Sequence, residues 1–164
     1  MAAGATYTPI ATYTASAGQT ITFSSISQTY TDLVLIGNIG DTTNNGTTLA
    51  FNGDTSSNYS RTWMQGNGST APSGRNSNAG PLYVTGENLF SPSTVGSEIA
   101  IIQIMSYSNS NVYKTFLTTD RVGSSGLMQT VKMWRNTAAI TSITLTNSGL
   151  AAGSAWTLYG IAAA

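Results

Sequence analysis

Six carboxylates, Asp32, Asp41, Asp54, Glu87, Glu98 and Asp120, are the side chains here suited to acid–base work, because the sequence has no histidine and no cysteine. Ser-His-Asp and Cys-His nucleophile systems therefore lack their base. Zinc sites of the usual kind lack their nitrogen and sulfur donors. A glycosidase needs two carboxylates held several ångström apart. Asp32 and Glu98 stand where strands start, and a carboxylate there marks a turn. Turn capping, or pairing with Arg or Lys, accounts for each acid. The chain reads as non-enzymatic, with no metal and no cofactor.

Two loops space their oxygen donors much as calcium sites do: Asp41-Thr42-Thr43-Asn44-Asn45-Gly46 and Asp54-Thr55-Ser56-Ser57-Asn58. Neither ends in the bidentate Glu of an EF-hand loop, so turn chemistry explains them better. Trp63, Trp134 and Trp156 could build a sugar-binding platform. Trp156 lies in an alternating strand and reads as core. Trp134 shares a face with Lys132 and Thr130, which makes it a candidate interface residue. Trp63, beside Arg61 in a loop-rich stretch, is the candidate for a ligand or subunit contact, against the commoner role of a loop anchor.

The elements that would position these residues are strands. Ile143 and Leu145 alternate with Ser142, Thr144 and Thr146, and Trp156 and Leu158 alternate with Thr157 and Tyr159, the period of half-buried strands. Ile21 and Phe23 repeat the pattern. Leu33-Val34-Leu35-Ile36 is continuously apolar, which predicts a central strand covered on both faces. Ala100, Ile102 and Ile104 make an entirely apolar face. Asn45-Gly46 and Asn52-Gly53-Asp54 are turn signals. Residues 55–80 are rich in Ser, Asn, Gly and Thr and read as the longest irregular part, a loop crossing between sheets. About ten short strands at steps of roughly 8 to 12 residues predict an all-β fold, a single jelly-roll-like sandwich. An immunoglobulin-like sandwich differs from it only in strand order.

Residues 1–18 read as an N-terminal arm or an edge strand, and 19–164 as the sandwich domain. Pro9 cannot donate to a ladder and belongs on an edge. Tyr7, Pro9, Ile10 and Tyr13 supply the aromatic and apolar anchors that interfaces favour. Both chain ends are expected to be held by contacts, since free termini fray.

Charged residues are only 7% of the 164-residue chain and formal net charge is zero, against about 25% charged in ordinary globular proteins. Such a surface lacks the repulsion that keeps monomers apart, which points to life inside an assembly. Six scattered basic residues form no patch for nucleic acid. No apolar run is long enough to span a membrane as a helix. The first residues lack the basic segment and apolar core of a signal peptide, so the chain is expected to be made in the cytoplasm and not exported.

The run from Trp134 to Ile143, with Ala152-Gly153-Ser154-Ala155-Trp156-Thr157-Leu158-Tyr159-Gly160-Ile161, resembles the close of a family of small tailed-bacteriophage structural proteins. Tyr30-Thr31-Asp32-Leu33-Val34-Leu35, Phe51-Asn52-Gly53-Asp54 with Asn58-Tyr59-Ser60, and Tyr107-Ser108-Asn109 with Tyr113-Lys114-Thr115 are similar to it too. The resemblance implies a virion location: a capsid decoration (cement) protein that stabilises the head shell, or a tail-fibre or tailspike domain that binds host-surface carbohydrate. The implied partners are the major capsid protein and copies of the chain itself, a trimer by the same resemblance.

Overall fold

The computed structural model describes residues 6–16, 18–43, 45–85, 94–96, 98–122 and 126–162. Asn44, residues 86–93 with Glu87 among them, residues 123–125 and both chain ends lie outside them. The described chain is all-β, with twelve strands: β1 Tyr7–Thr14, β2 Gln19–Phe23, β3 Asp32–Ile39, β4 Thr47–Phe51, β5 Tyr59–Gly66, β6 Ser73–Ala79, β7 Leu82–Thr85, β8 Glu98–Ile104, β9 Lys114–Val122, β10 Gly126–Trp134, β11 Ile143–Asn147 and β12 Ala155–Ile161. No helix among the described residues is long and apolar enough to cross a membrane.

The strands form two antiparallel sheets. The large sheet runs β1-β12-β3-β8-β9-β10-β5-β6 and the small one β2-β11-β4-β7. The inner faces meet in one core. From the large sheet come Leu33, Leu35, Ala100, Ile102, Ile104, Phe116, Trp156 and Leu158, and from the small one Ile21, Leu49, Phe51, Ile143 and Leu145, all buried. Period-two alternation places them there, since successive residues of a strand face opposite ways. Gly37 has no side chain because the Trp156 ring occupies that space: a Cβ would lie 2.6 Å from it.

Two strands were not expected. The stretch 55–80 is not an irregular loop but the hairpin β5–β6, so the count is twelve rather than about ten. On β5 the inward residues are Tyr59, Arg61, Trp63 and Gln65, which breaks the apolar alternation that reveals strands. β6 is an edge strand of mostly Ser, Gly, Arg and Asn, largely exposed, and among the described residues it pairs only with β5. Backbone pairing defines it, and backbone pairing leaves no mark on side-chain composition. The crossing between sheets is made by the short turn 52–58 between β4 and β5.

β1 is the edge strand of the large sheet, paired with β12 and bulged between Pro9 and Ala11. The extra residue is Ile10, which packs against the core.

Candidate interaction face of the large sheet

Three of the acids are committed to the backbone around them. Asp41 accepts from the N–H groups of Thr43 and Gly46 (2.8 Å each) and from the Asn147 amide (3.0 Å). Burial pushes its carboxyl up, but these donors outweigh burial and hold its pKa below the ordinary value. Asp54 accepts from Ser56 N–H, Asn58 Nδ2 and Trp134 Nε1 at 2.8 to 2.9 Å. Burial raises its pKa too, and the Asn58, Trp134 and Ser56 bonds bring it below the usual range. Asp32 accepts from Ser106 N–H at 2.7 Å. In the two calcium-like loops, then, N–H donors surround the carboxylates where oxygen ligands would be needed. Among the described residues no group of three or more His, Cys, Asp or Glu could hold a metal.

Trp134 is not a surface residue. It is 1% exposed and packs against Phe51 and Tyr59, with ring centroids 5.6 Å and 6.5 Å away, while Phe116 meets the same Phe51 ring edge-on at 5.0 Å. The sequence misleads here because Lys132 and Thr130, its same-face neighbours, look like surface residues yet are themselves buried. Tyr59 completes the cluster: its hydroxyl accepts from Phe51 N–H and donates to the Asp54 carbonyl.

Trp63 and Arg61 also point inward. Trp63 is opposite Thr130, and Arg61 is opposite Lys132. The Trp63 indole packs on Met128 and over Gly74, where a Cβ would sit 2.8 Å from the ring. Arg61 Nε donates to Asn76 at 3.0 Å, and burial lowers its pKa. Lys132 donates to the Thr118 hydroxyl. Burial drives the Lys132 ammonium down to about 7; Asp120 opposes that shift and Arg61 adds to it.

At the other end of the sheet Tyr7 is 51% and Tyr13 36% exposed. Tyr7 and Tyr159 meet edge-on at 6.2 Å. Tyr13 donates to Gln19 Oε1 at 2.7 Å, closing part of a cleft of about 240 Å³ between β1 and the small sheet, lined by Ile10 and Phe23. Pro9 is exposed beside the bulge. The four β1 residues and the Trp63–Arg61 pair stand at opposite ends of the large sheet and form no common site.

The residues that composition reasoning missed lie on the outer face. Ile99, Ile101, Leu127, Val131, Met133 and Met64 are all between 37% and 62% exposed. Register sets them in rows that they share with polar residues. Ile101 is opposite Thr119, Thr119 opposite Gln129, and Gln129 opposite Met64. In the next row Gln103, Leu117, Val131 and Thr62 follow one another across the same four strands. A shallow depression of about 540 Å³ runs over these rows. A second, of about 250 Å³, continues it past Met133 toward Arg75. The available signal was the continuous apolar run Ile99-Ala100-Ile101-Ile102, which gives β8 two apolar faces, only one of which the core can take.

The sequence matches no protein-family model, and no curated protein or solved structure matches it.

Proposed function

We propose that this chain is a non-enzymatic structural protein of a tailed-phage virion, a decoration (cement) subunit on the capsid surface. The observation that carries the reading is the nesting of strand pairs. β1 pairs with β12, β2 with β11, β3 with β8, and β4 with β7. Rolling such a ribbon gives β1-β12-β3-β8 facing β2-β11-β4-β7, the jelly-roll order. Jelly rolls are frequent among capsid and lectin domains. That is support by fold analogy, and it agrees with the resemblance carried by the last strands. The remaining strands, β9, β10, β5 and β6, extend one sheet only.

The charge-poor, neutral surface favours a subunit that is covered in its working state. The subunit contacts the major capsid protein and copies of itself, as a trimer in which the β1 residues Tyr7, Pro9, Ile10 and Tyr13 take part. The lectin-like reading, a tail-fibre or tailspike domain that binds carbohydrate, draws on the same fold. The inward setting of Trp63 on Gly74 weighs against it, since a sugar platform needs its ring face open.

Quantitative mass spectrometry of purified particles tests the proposal. Hundreds of copies per particle, lost together with shell stability when the gene is deleted, is the expected result. A few dozen copies or fewer, with glycan binding abolished by Trp63→Ala, would replace it with the fibre reading.

A further inference from the structure

β10 carries apolar residues on both faces. Its inward residues are Met128, Thr130, Lys132 and Trp134, all buried, while its outward residues include Leu127, Val131 and Met133, all exposed. A half-buried strand ordinarily turns its apolar side to the core. Here three apolar residues are turned away, and β8, on the far side of β9, adds Ile99 and Ile101 to the same face. Exposed apolar patches on this scale mark places that a partner covers.

We propose that the outer face of the large sheet, from β12 across β3, β8, β9 and β10 to β5, is where a second copy of this chain packs, sheet against sheet. Charge identifies the occupant. Across this face charge is sparse: Arg121 of β9 lies between Ile99 and Leu127 in the row at one end, Asp32 at the opposite end of β3, and Arg75 on the rim. The centre carries methyl, thioether, hydroxyl and amide groups only. A strongly charged partner would find nothing to pair with. A copy of this chain, with zero net charge and 7% charged residues, meets no like charge there.

Area agrees. From β12 across β3, β8, β9 and β10 to β5 the sheet is continuous. Six strands about 4.8 Å apart, about three or four outward residues deep at roughly 6.7 Å per step, span on the order of 650 Å² before side-chain relief is added. A standard interface takes about 800 Å² from each partner. Two such faces stacked about 10 Å apart would interdigitate as the two sheets of a sandwich do. Nucleic acid would require cations, and a glycan would require an open aromatic ring; this face offers neither at its centre. The proposal is independent of the particle in which the protein works.

Light scattering on the purified full chain is the first test. An oligomer at tens of micromolar is expected, and a monomer would overturn the proposal whether or not particles incorporate the protein. In the double variant Ile101→Lys with Val131→Lys, the oligomer should dissociate with an unchanged far-UV spectrum. In Tyr7→Ser with Tyr13→Ser, dissociation through this face should not occur. If the lysine pair stays oligomeric while the tyrosine pair falls apart, the contact lies at β1 and the proposal fails. Should the lysine pair not fold, thiol labelling decides, because the chain has no cysteine of its own. Val131→Cys should react at least ten-fold more slowly than Ser69→Cys in the oligomer. Equal rates would overturn the proposal.

Discussion

Along β8, Ala100, Ile102 and Ile104 are wholly buried, whereas Ile99 and Ile101 on the other side of the same strand are 48% and 38% exposed. The inner face is closed by a second sheet. Side chains there are enclosed, and several of the polar groups among them are bonded. The Trp134 indole bonds Asp54, the Tyr59 hydroxyl bonds at both ends, and Lys114 Nζ donates to the carbonyls of Asn109 (2.5 Å), Val112 (2.8 Å) and Thr137 (2.8 Å). The outer face has comparable side chains and no second sheet. Its residues add little to the monomer's stability, because apolar area lowers free energy only when it leaves water. The same residue types therefore do two different jobs, folding on one side and association on the other.

Substitutions should separate the two jobs by size of effect. Trp134→Ala removes the largest ring of the aromatic cluster and leaves Asp54 short of a donor. Loss of about 3 to 5 kcal/mol is expected in chemical denaturation; a loss under about 1 kcal/mol would mean the inner face is not the core described here. Lys114→Met deletes the donor shared by three carbonyls, and leaving buried acceptors unmet costs about 1 to 3 kcal/mol. Burial already holds the Lys114 pKa below normal, so the loss should persist in high salt, unlike that of a surface ion pair.

Lys132 gives a pH signature. Its folded pKa is depressed to about 7, first by burial, against 10.5 unfolded. A base with a depressed folded pKa binds fewer protons in the native state, so stability rises with pH between those two values. The charged and titratable groups around it are Asp120 and Arg61, with the Thr118 hydroxyl as its hydrogen-bond partner. Stability measured by urea unfolding should increase from pH 7 to 9. Lys132→Met should flatten that slope, and an equal slope in both proteins would assign the effect to other groups. Tyr59, raised to about 12 by burial, is protonated in both the folded and unfolded states below the ordinary tyrosine pKa and so adds no slope within that window.

The smallest effect on the monomer belongs to the outer face. Val131→Ser should change the stability of the dissociated chain by less than about 0.5 kcal/mol. It should nonetheless weaken self-association, read as a shift in the concentration at which the oligomer forms. A large loss of monomer stability would erase the distinction between the two faces.

Much of this was legible in the chain itself. Strict alternation at Ile21 and Phe23, at Ile143 and Leu145, and at Trp156 and Leu158 set both the strands and their buried sides, because the pleat turns a period of two into two faces. The turns at Asn45-Gly46 and Asn52-Gly53 were written in residues that tolerate a positive φ; Gly46, Asn52 and Gly53 all adopt one. The absence of histidine and cysteine bounded the available chemistry before any fold was known.

Tertiary structure decided the rest. β6 exists because β5 offers it backbone partners, and Ser, Gly and Asn carry no record of that. The period along β10 says that Leu127, Gln129, Val131 and Met133 share one side and Met128, Thr130, Lys132 and Trp134 the other. It does not say which side the core takes. Hydrophobicity alone would bury the first set. The anchoring of Trp134 against Phe51 and Tyr59, which come from two other strands, buries the second. Once that large ring is fixed, the pleat carries Lys132 and Thr130 inward with it and turns Leu127, Val131 and Met133 out to water. The choice between two faces of one strand depends on contacts far apart in sequence, so no local pattern could have made it.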